Sequence, residues 1–220
     1  MGYYPIFLDL RDRPCVVIGG GSVAQRKVEG LISAGAQVTV ISPRLSAALA
    51  HLRDASKIKH MPRNYSNGDL AGFSLAFVAT NDLRVNALVA REGHERTVLV
   101  NAVDDTENCD FIMPSILRRG DVTIAVSTGG ASPALARKIR EELEEHFSAD
   151  YVQLLELVAE VRQALRSQGK PVDPEVWNAA LTPALRDLLA LGQREAARQK
   201  LLAALLSGAS GRAPEDEVKV

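Results

Sequence analysis

Apolar residues in this chain fall into short continuous runs that alternate with segments of helical period, a pattern that predicts an α/β fold. Residues 15–18 (Cys-Val-Val-Ile) form the kind of run expected of a strand covered on both faces. Glycines follow at once. Val23, Lys27, Leu31 and Ala34 then recur at helical spacing, and Gly35 closes that helix in the usual C-terminal position. The β-branched stretch 37–41 predicts a second strand, ended by Ser42-Pro43. Strand, glycine turn, helix and strand within about 30 residues make a βαβ unit with parallel strands. Beyond it, 46–53 and 82–94 read as helices, and 75–79 and 98–101 as buried strands.

From Asp110 the style changes. Segments 111–117 and 122–127 flank Arg118-Arg119-Gly120-Asp121, which predicts an antiparallel hairpin. Ser132-Pro133 is a good N-cap and first-turn pair for a helix with Leu135, Ile139 and Leu143 on one face. Helices are expected over 150–167, 174–181, 183–191 and 193–206, broken by Gly169 to Pro174, Thr182-Pro183 and Gly192. The predicted organisation is a Rossmann domain with a parallel sheet over 1–112, a central hairpin and helix over 113–148, a small helical C-terminal domain over 149–206, and a flexible tail over 207–220.

Composition changes this picture little. At 220 residues, with 46% apolar and 24% charged residues, the chain can bury a full core plus an appendage. A net charge of -1 offers no global field for nucleic acid. The N-terminus has no signal-peptide pattern, no apolar run is long enough for a bilayer, and Cys15 and Cys109 form no disulfide framework. A cytoplasmic protein is expected.

The candidate chemistry begins at Gly19-Gly20-Gly21-Ser22-Val23-Ala24, where Gly19, Gly21 and Ala24 satisfy G-x-G-x-x-G/A in its required place between strand and helix. Glycine allows the tight backbone and the close approach of a pyrophosphate to the helix N-terminus, where free N–H groups favour anions. A ligand-free tight turn is the bland alternative. The acid that usually follows the second strand is missing: there is none between Glu29 and Asp54. Ser42 can instead hydrogen-bond a ribose, and Arg44 can stack on adenine or meet a 2′-phosphate, so NADP stays open on these grounds. Thr80 and Asn81 after one strand, and Asn101 after another, are expected at the cofactor crevice. Asp104 or Asp105 can act as a base, or merely cap a turn. Gly129-Gly130 before the Pro133 helix is a second candidate anion site, with Arg118, Arg119, Arg137, Lys138 and Arg140 nearby. His51, His60, His94 and His146 have no ligand spacing, and no metal site is expected.

These motifs together resemble the precorrin-2 dehydrogenase / sirohydrochlorin ferrochelatase family, the tetrapyrrole-oxidising module of siroheme synthase. The resemblance runs from Pro5 to about Phe147. It rests on Pro5-Ile6-Phe7-Leu8, Arg11-Asp12-Arg13, the glycine loop with Arg26-Lys27, Leu31 through Gly35-Ala36, and Ala79-Thr80. It continues through Asn101 with Val103-Asp104, Phe111-Ile112-Met113-Pro114-Ser115-Ile116, Ala125-Val126-Ser127, Gly129-Gly130 and Ser132-Pro133. It implies NAD-dependent oxidation of precorrin-2 to sirohydrochlorin, and in some members insertion of ferrous iron to give siroheme. It places the family's aspartate on Asp104, and NAD contacts on Ser22, Val23, Pro43 and Arg44. The macrocycle is then expected against Met113-Pro114 and Ser127-Thr128-Gly129-Gly130, in a homodimer with no nucleic-acid or membrane partner. After residue 150 the match weakens, which bears on chelation. Two other readings share the glycine loop: a non-enzymatic nucleotide-sensing module, and an NADP-dependent dehydrogenase of a small metabolite.

Overall fold

The computed structural model describes residues 2–210. They fall into two compact units, divided between Met113 and Pro114. The predicted central and C-terminal segments thus share one unit.

The first unit is built on a five-stranded parallel sheet of β1 (Pro14–Ile18), β2 (Gln37–Ile41), β3 (Lys59–Met61), β4 (Leu75–Val78) and β5 (Leu99–Ala102), in the order β3-β2-β1-β4-β5. Alternate residues of the strands go to opposite faces. Cys15, Val17, Val38, Val40, Leu75 and Phe77 pack with Ala24, Val28 and Leu31 of α1 (Ser22–Ser33) and Leu49 of α2 (Ala47–Asp54). Val16, Ile18, Ile41, Ala76 and Val78 pack on the other face with Val89 of α3 (Leu83–Arg96). Covering both faces is what the unbroken apolar runs required. Strand order reverses between β1 and β4, so their carboxyl ends form the crevice where doubly wound sheets bind ligands.

Several elements depart from the sequence expectation. Strand β3 is extra: three residues, Lys-His-Met, at the sheet edge carry no apolar signature. The fifth strand lies one residue later than predicted. The helix predicted to end at 94 continues to Arg96, where Thr97 stops it with φ +58°. Glu92, on what looks like a polar helix, is only 1% exposed. Its carboxylate accepts hydrogen bonds from the Tyr65 hydroxyl and, at 2.9 and 3.1 Å, from the amides of Gly68 and Leu70, and it pairs with Arg96 at 2.7 Å. Burial opposes its ionisation, but these four donors outweigh that and hold the carboxyl below its ordinary value.

In the second unit, β6 (Ser115–Arg119) and β7 (Val122–Val126) form an antiparallel hairpin with Arg119 opposite Val122. The predicted first strand began at 111 and its turn at Arg118. Instead, residues 111–114 are not strand, and both arginines belong to β6. Asp110 N–H and the Phe111 carbonyl are already bonded to β5 residues, and Pro114 has no N–H to give a ladder. The two-residue turn puts Gly120 first, with φ +55°, as a II′ hairpin demands. The helix α4 (Pro133–His146) follows, then α5 (Asp150–Ser167), α6 (Pro174–Ala180), α7 (Pro183–Ala190) and α8 (Arg194–Ser210). Leu157, Val161 and Leu165 of α5 pack on Leu185 and Leu189 of α7 and on Ala197, Leu201 and Leu205 of α8. Each series repeats at three or four residues, the spacing of one helix face. Helix α8 runs to Ser210, so residues 207–210 are helical and not tail; 211–220 lie outside the described residues.

Candidate active site

The glycine loop sits at the strand-order reversal. Gly19 has φ +122°, and a Cβ there would lie 2.3 Å from the Ala79 carbonyl oxygen, just beyond β4. A Cβ on Gly20 would lie 1.9 Å from the Arg44 carbonyl oxygen, just beyond β2. The two glycines therefore let the loop press between the two neighbouring strand ends. Gly21 differs: a Cβ there would meet nothing within 4 Å. Its backbone borders open space.

Gly21 is also the N-cap of α1, and no side chain caps that helix. By contrast, Ser46 caps α2 and Asp82 caps α3. The first-turn amides of Ser22, Val23 and Ala24 therefore keep their donors for an anion, and the helix dipole adds to the attraction. These features fit a dinucleotide pyrophosphate.

After β2, Ser42 is 7% exposed and its hydroxyl donates to the Arg44 carbonyl at 2.7 Å, while His60 Nε2 meets the Ser42 carbonyl at 2.9 Å. The hydroxyl thus folds the 42–44 turn. Pro43 and Arg44 are exposed, and the Arg44 guanidinium has no ion pair among the described residues. Beyond β4, Thr80 Oγ1 accepts from the Asp82 amide at 2.9 Å, and Asn81 is exposed. Asn101 is not brought to the crevice. It is buried, and its Nδ2 donates to the Phe111 carbonyl at 2.8 Å.

The geometry separates the two aspartates after β5. Asp105 accepts hydrogen bonds from Nδ2 of Asn86 at 3.2 Å and of Asn108 at 2.8 Å, so it anchors a turn. Asp104 is exposed, has φ +59°, and makes no hydrogen bond or ion pair among the described residues. Its neighbour Val103 bonds the Val78 carbonyl at 2.9 Å, which sets Asp104 at the edge that Gly19 and Ala79 share.

Lys27 is the contributor that sequence reasoning passed over, because it read as one more position of the α1 period. Its Nζ lies 4.7 Å from the Phe77 ring centroid, and Phe77 meets Phe111 edge-on at 5.6 Å. Burial pushes the Lys27 ammonium below its ordinary value with help from Arg26; Cys109 and Asp104 oppose the shift. Lys27 thus places a half-buried cation over Phe77 from α1, the helix that the glycine loop opens. Burial first of all raises the Cys109 thiol, with Asp105 and Asp110 adding to it against the Ala102 amide; a protonated thiol is a poor nucleophile.

In the second unit, Ser127 Oγ accepts from Gly129 N–H at 3.1 Å, and Thr128 Oγ1 both donates to the Ser132 carbonyl and accepts from its amide at 3.0 Å. Gly129 and Gly130 have φ +64° and +87° and open surroundings. Unlike α1, helix α4 is capped: Ser132 Oγ takes the Leu135 amide, and Pro133 has no N–H. Its N-terminus is the poorer anion site. Met113 is exposed and Pro114 half-buried. Among the described residues, no three His, Cys, Asp or Glu side chains converge on a common point, and no helix is long and apolar enough to cross a membrane.

Residues 6–115 match the family model described as "Putative NAD(P)-binding", and residues 119–146 match "Sirohaem biosynthesis protein central". The chain is 39% identical to the siroheme synthase of Photobacterium profundum over 92% of its own length and 44% of that protein's. It is 41% identical to that of Methylococcus capsulatus over 93% of its length and 44% of the relative's. The chain spans less than half the length of these relatives. Among solved structures, SirC, a precorrin-2 dehydrogenase, superposes with a TM-score of 0.76 at 27% identity, covering 91% of this chain and 100% of that one. An uncapped glycine loop at the sheet's reversal, followed in the same chain by the sirohaem central segment, has one family reading: the chain belongs to the NAD(P)-binding family formed by the dehydrogenase module of siroheme synthase.

Proposed function

We propose that this chain oxidises precorrin-2 to sirohydrochlorin with NAD⁺, releasing NADH and a proton, within siroheme biosynthesis. The observation that carries the reading is Asp104: an uncommitted, exposed carboxylate at the carboxyl edge of the sheet, beside the strand ends that hold the glycine loop. Residues 19–24 hold the pyrophosphate, while Pro43, Arg44, Thr80 and Asn81 border the rest of the nucleotide. Bound there, the nicotinamide supplies the hydride acceptor for a ring-bridging carbon of the macrocycle. Asp104 takes the proton that leaves as conjugation extends. Asp105 cannot share that task without giving up Asn86 and Asn108.

Adding ferrous iron to the product tests insertion into sirohydrochlorin, the further step that the family resemblance implies for some members. The functional form is a homodimer: Ile116 and Leu135, exposed by 36% and 52%, leave apolar surface on the hairpin and α4 of the second unit. The free thiols of Cys15 and Cys109 suit the reducing cytoplasm.

The test is turnover of precorrin-2 with NAD⁺ or NADP⁺, followed by NADH formation and the sirohydrochlorin spectrum, with ferrous iron added afterwards. Asp104→Asn, which keeps a residue tolerant of the left-handed backbone, is expected to cost about 10²-fold or more in rate while NADH still binds. Full activity in that variant removes Asp104 from the mechanism. No turnover by the unaltered protein with either cofactor sinks the assignment.

A further inference from the structure

On α5, Glu156 and Glu160 meet Arg194 of α8 at 3.8 and 3.0 Å, and Glu160 also meets Arg198 at 3.1 Å. Another stripe of the same helix has no ion pair among the described residues. Val158, Arg162 and Arg166 follow one another at four-residue intervals, and Lys170 continues the series just past the helix end. Four residues of helix rise about 6 Å, so the two guanidiniums lie on one face within repelling distance of each other.

These three cations line a cavity of about 380 Å³ that, among the described residues, no carboxylate lines; Trp177 and Pro171 complete its walls. A second cavity of about 300 Å³ adjoins it, sharing Val158, Arg162 and Arg166. None of the three cations has an ion pair among the described residues. Asp173 and Glu175 flank the cavity in sequence but do not line it. The helix dipole favours a cation near the C-terminus of α5, which accounts for Arg166 or Lys170. It does not account for three cations gathered around a concave, aromatic-walled surface, with Arg162 a further turn back.

We propose that this cavity, lined wholly by residues of the second unit, is a second ligand site and that it binds a planar polycarboxylate. Arginine forks match carboxylates in bidentate geometry, and an indole face offers a flat apolar wall for a conjugated ring. The chemical class stands on the cavity alone. A tetrapyrrole as its natural source rests on the function proposed above, whereas a small aromatic polycarboxylate does not.

Trp177 is the chain's single tryptophan, so its fluorescence reports this wall directly. Benzene-1,2,4,5-tetracarboxylate is expected to change that emission saturably, with affinity falling as salt rises. Citrate, which is not planar, binds at least about 10-fold more weakly, since it forgoes the contact with the indole. Arg162→Gln costs about 10-fold in affinity, and Arg162→Gln with Arg166→Gln about 100-fold, at one charge-assisted contact each. Both positions are exposed, so circular dichroism should show unaltered folding, and Lys170→Gln provides an independent variant outside the helix. Competition by uroporphyrin III identifies a tetrapyrrole source; its failure to compete while the benzene probe binds leaves the small-molecule source. Absence of any saturable change, undiminished affinity in the double variant, or equal affinity for citrate overturns the proposal.

Discussion

Gly20→Ala and Gly21→Ala add the same methyl group to adjacent loop positions, yet they should fail in opposite ways. At Gly20 the new Cβ would sit 1.9 Å from the Arg44 carbonyl oxygen and 2.7 Å from Ser42 Oγ, against 3.4 Å for ordinary contact. The 42–46 backbone must retreat, straining the Ser42–Arg44 bond and the bond from Ser46 N–H to the Gly20 carbonyl, both 2.7 Å. Overpacking of about 1–3 kcal/mol plus about 1 kcal/mol for each of the two weakened hydrogen bonds gives a loss of about 3–5 kcal/mol. At Gly21 the backbone has φ -89°, allowed to any residue, and the Cβ enters open space. Losing a glycine N-cap costs about 1 kcal/mol, and the stiffer unfolded chain returns about 0.4–1 kcal/mol, so stability barely moves. That open space is where the pyrophosphate must come close, so Gly21→Ala should weaken NADH at least about 10-fold. Thermal unfolding with and without cofactor reads both effects. At a concentration of about 100 times the wild-type Kd, cofactor stabilises the unaltered protein by about 2.7 kcal/mol and Gly21→Ala by about 1.4 kcal/mol or less. Gly20→Ala should already be destabilised without cofactor. A stable Gly21→Ala that binds NADH like the parent would refute the pyrophosphate placement; a Gly20→Ala as stable as the parent would refute the loop geometry.

Two further outcomes are expected. Arg44→Ala should lower turnover with NADP⁺ about 10-fold while changing NAD⁺ use less than about 3-fold, because only a 2′-phosphate needs the guanidinium; equal losses with both cofactors would contradict this. Glu92→Gln should cost about 3 kcal/mol by unbalancing a buried carboxylate that serves four donors, seen as a Tm lower by about 6–12 °C. Because the folded Glu92 carboxyl lies below its ordinary value of 4.5, its contribution is complete above that pH and is lost as pH falls through the lower folded value. Unfolding scans below pH 4.5 should therefore be flatter for Glu92→Gln than for the parent; parallel curves would assign the acid sensitivity to other carboxylates.

Much of the fold was legible wherever a local pattern carried its own cause. Strand β2 and helix α5 fell at the expected residues because β-branched runs and four-residue apolar spacing are properties of the segment alone. Strand β3 was not legible, since an edge strand of Lys-His-Met owes its conformation to pairing with β2. Residues 111–113 misled for the converse reason: they are apolar enough for a strand, but the Phe111 carbonyl is claimed by Asn101 of β5, and Pro114 has no N–H for a ladder. The cationic cavity was invisible for a related reason. In the sequence Arg162 and Arg166 are two more charges on a helix, and only the fold supplies Trp177 as their wall.

The same distinction sharpens the site. Sequence could find the glycine loop because its chemistry and its context are adjacent in the chain. It could not choose between Asp104 and Asp105 from spacing, because the choice depends on Asn86, which is nineteen residues away on α3. Once Asn86 and Asn108 claim Asp105, the neighbouring backbone turns through φ +59° at Asp104, a conformation that costs a non-glycine residue about 1 kcal/mol or more and that aspartate tolerates better than most. The turn anchored by one carboxylate therefore releases the other. Relaxing that anchor should act through Asp104: Asn86→Ala would leave the glycine loop and the Asp104 carboxyl chemically intact, yet lower the dehydrogenation rate while nucleotide affinity holds. An unchanged rate in Asn86→Ala would show that Asp104 does not depend on the Asp105 anchor.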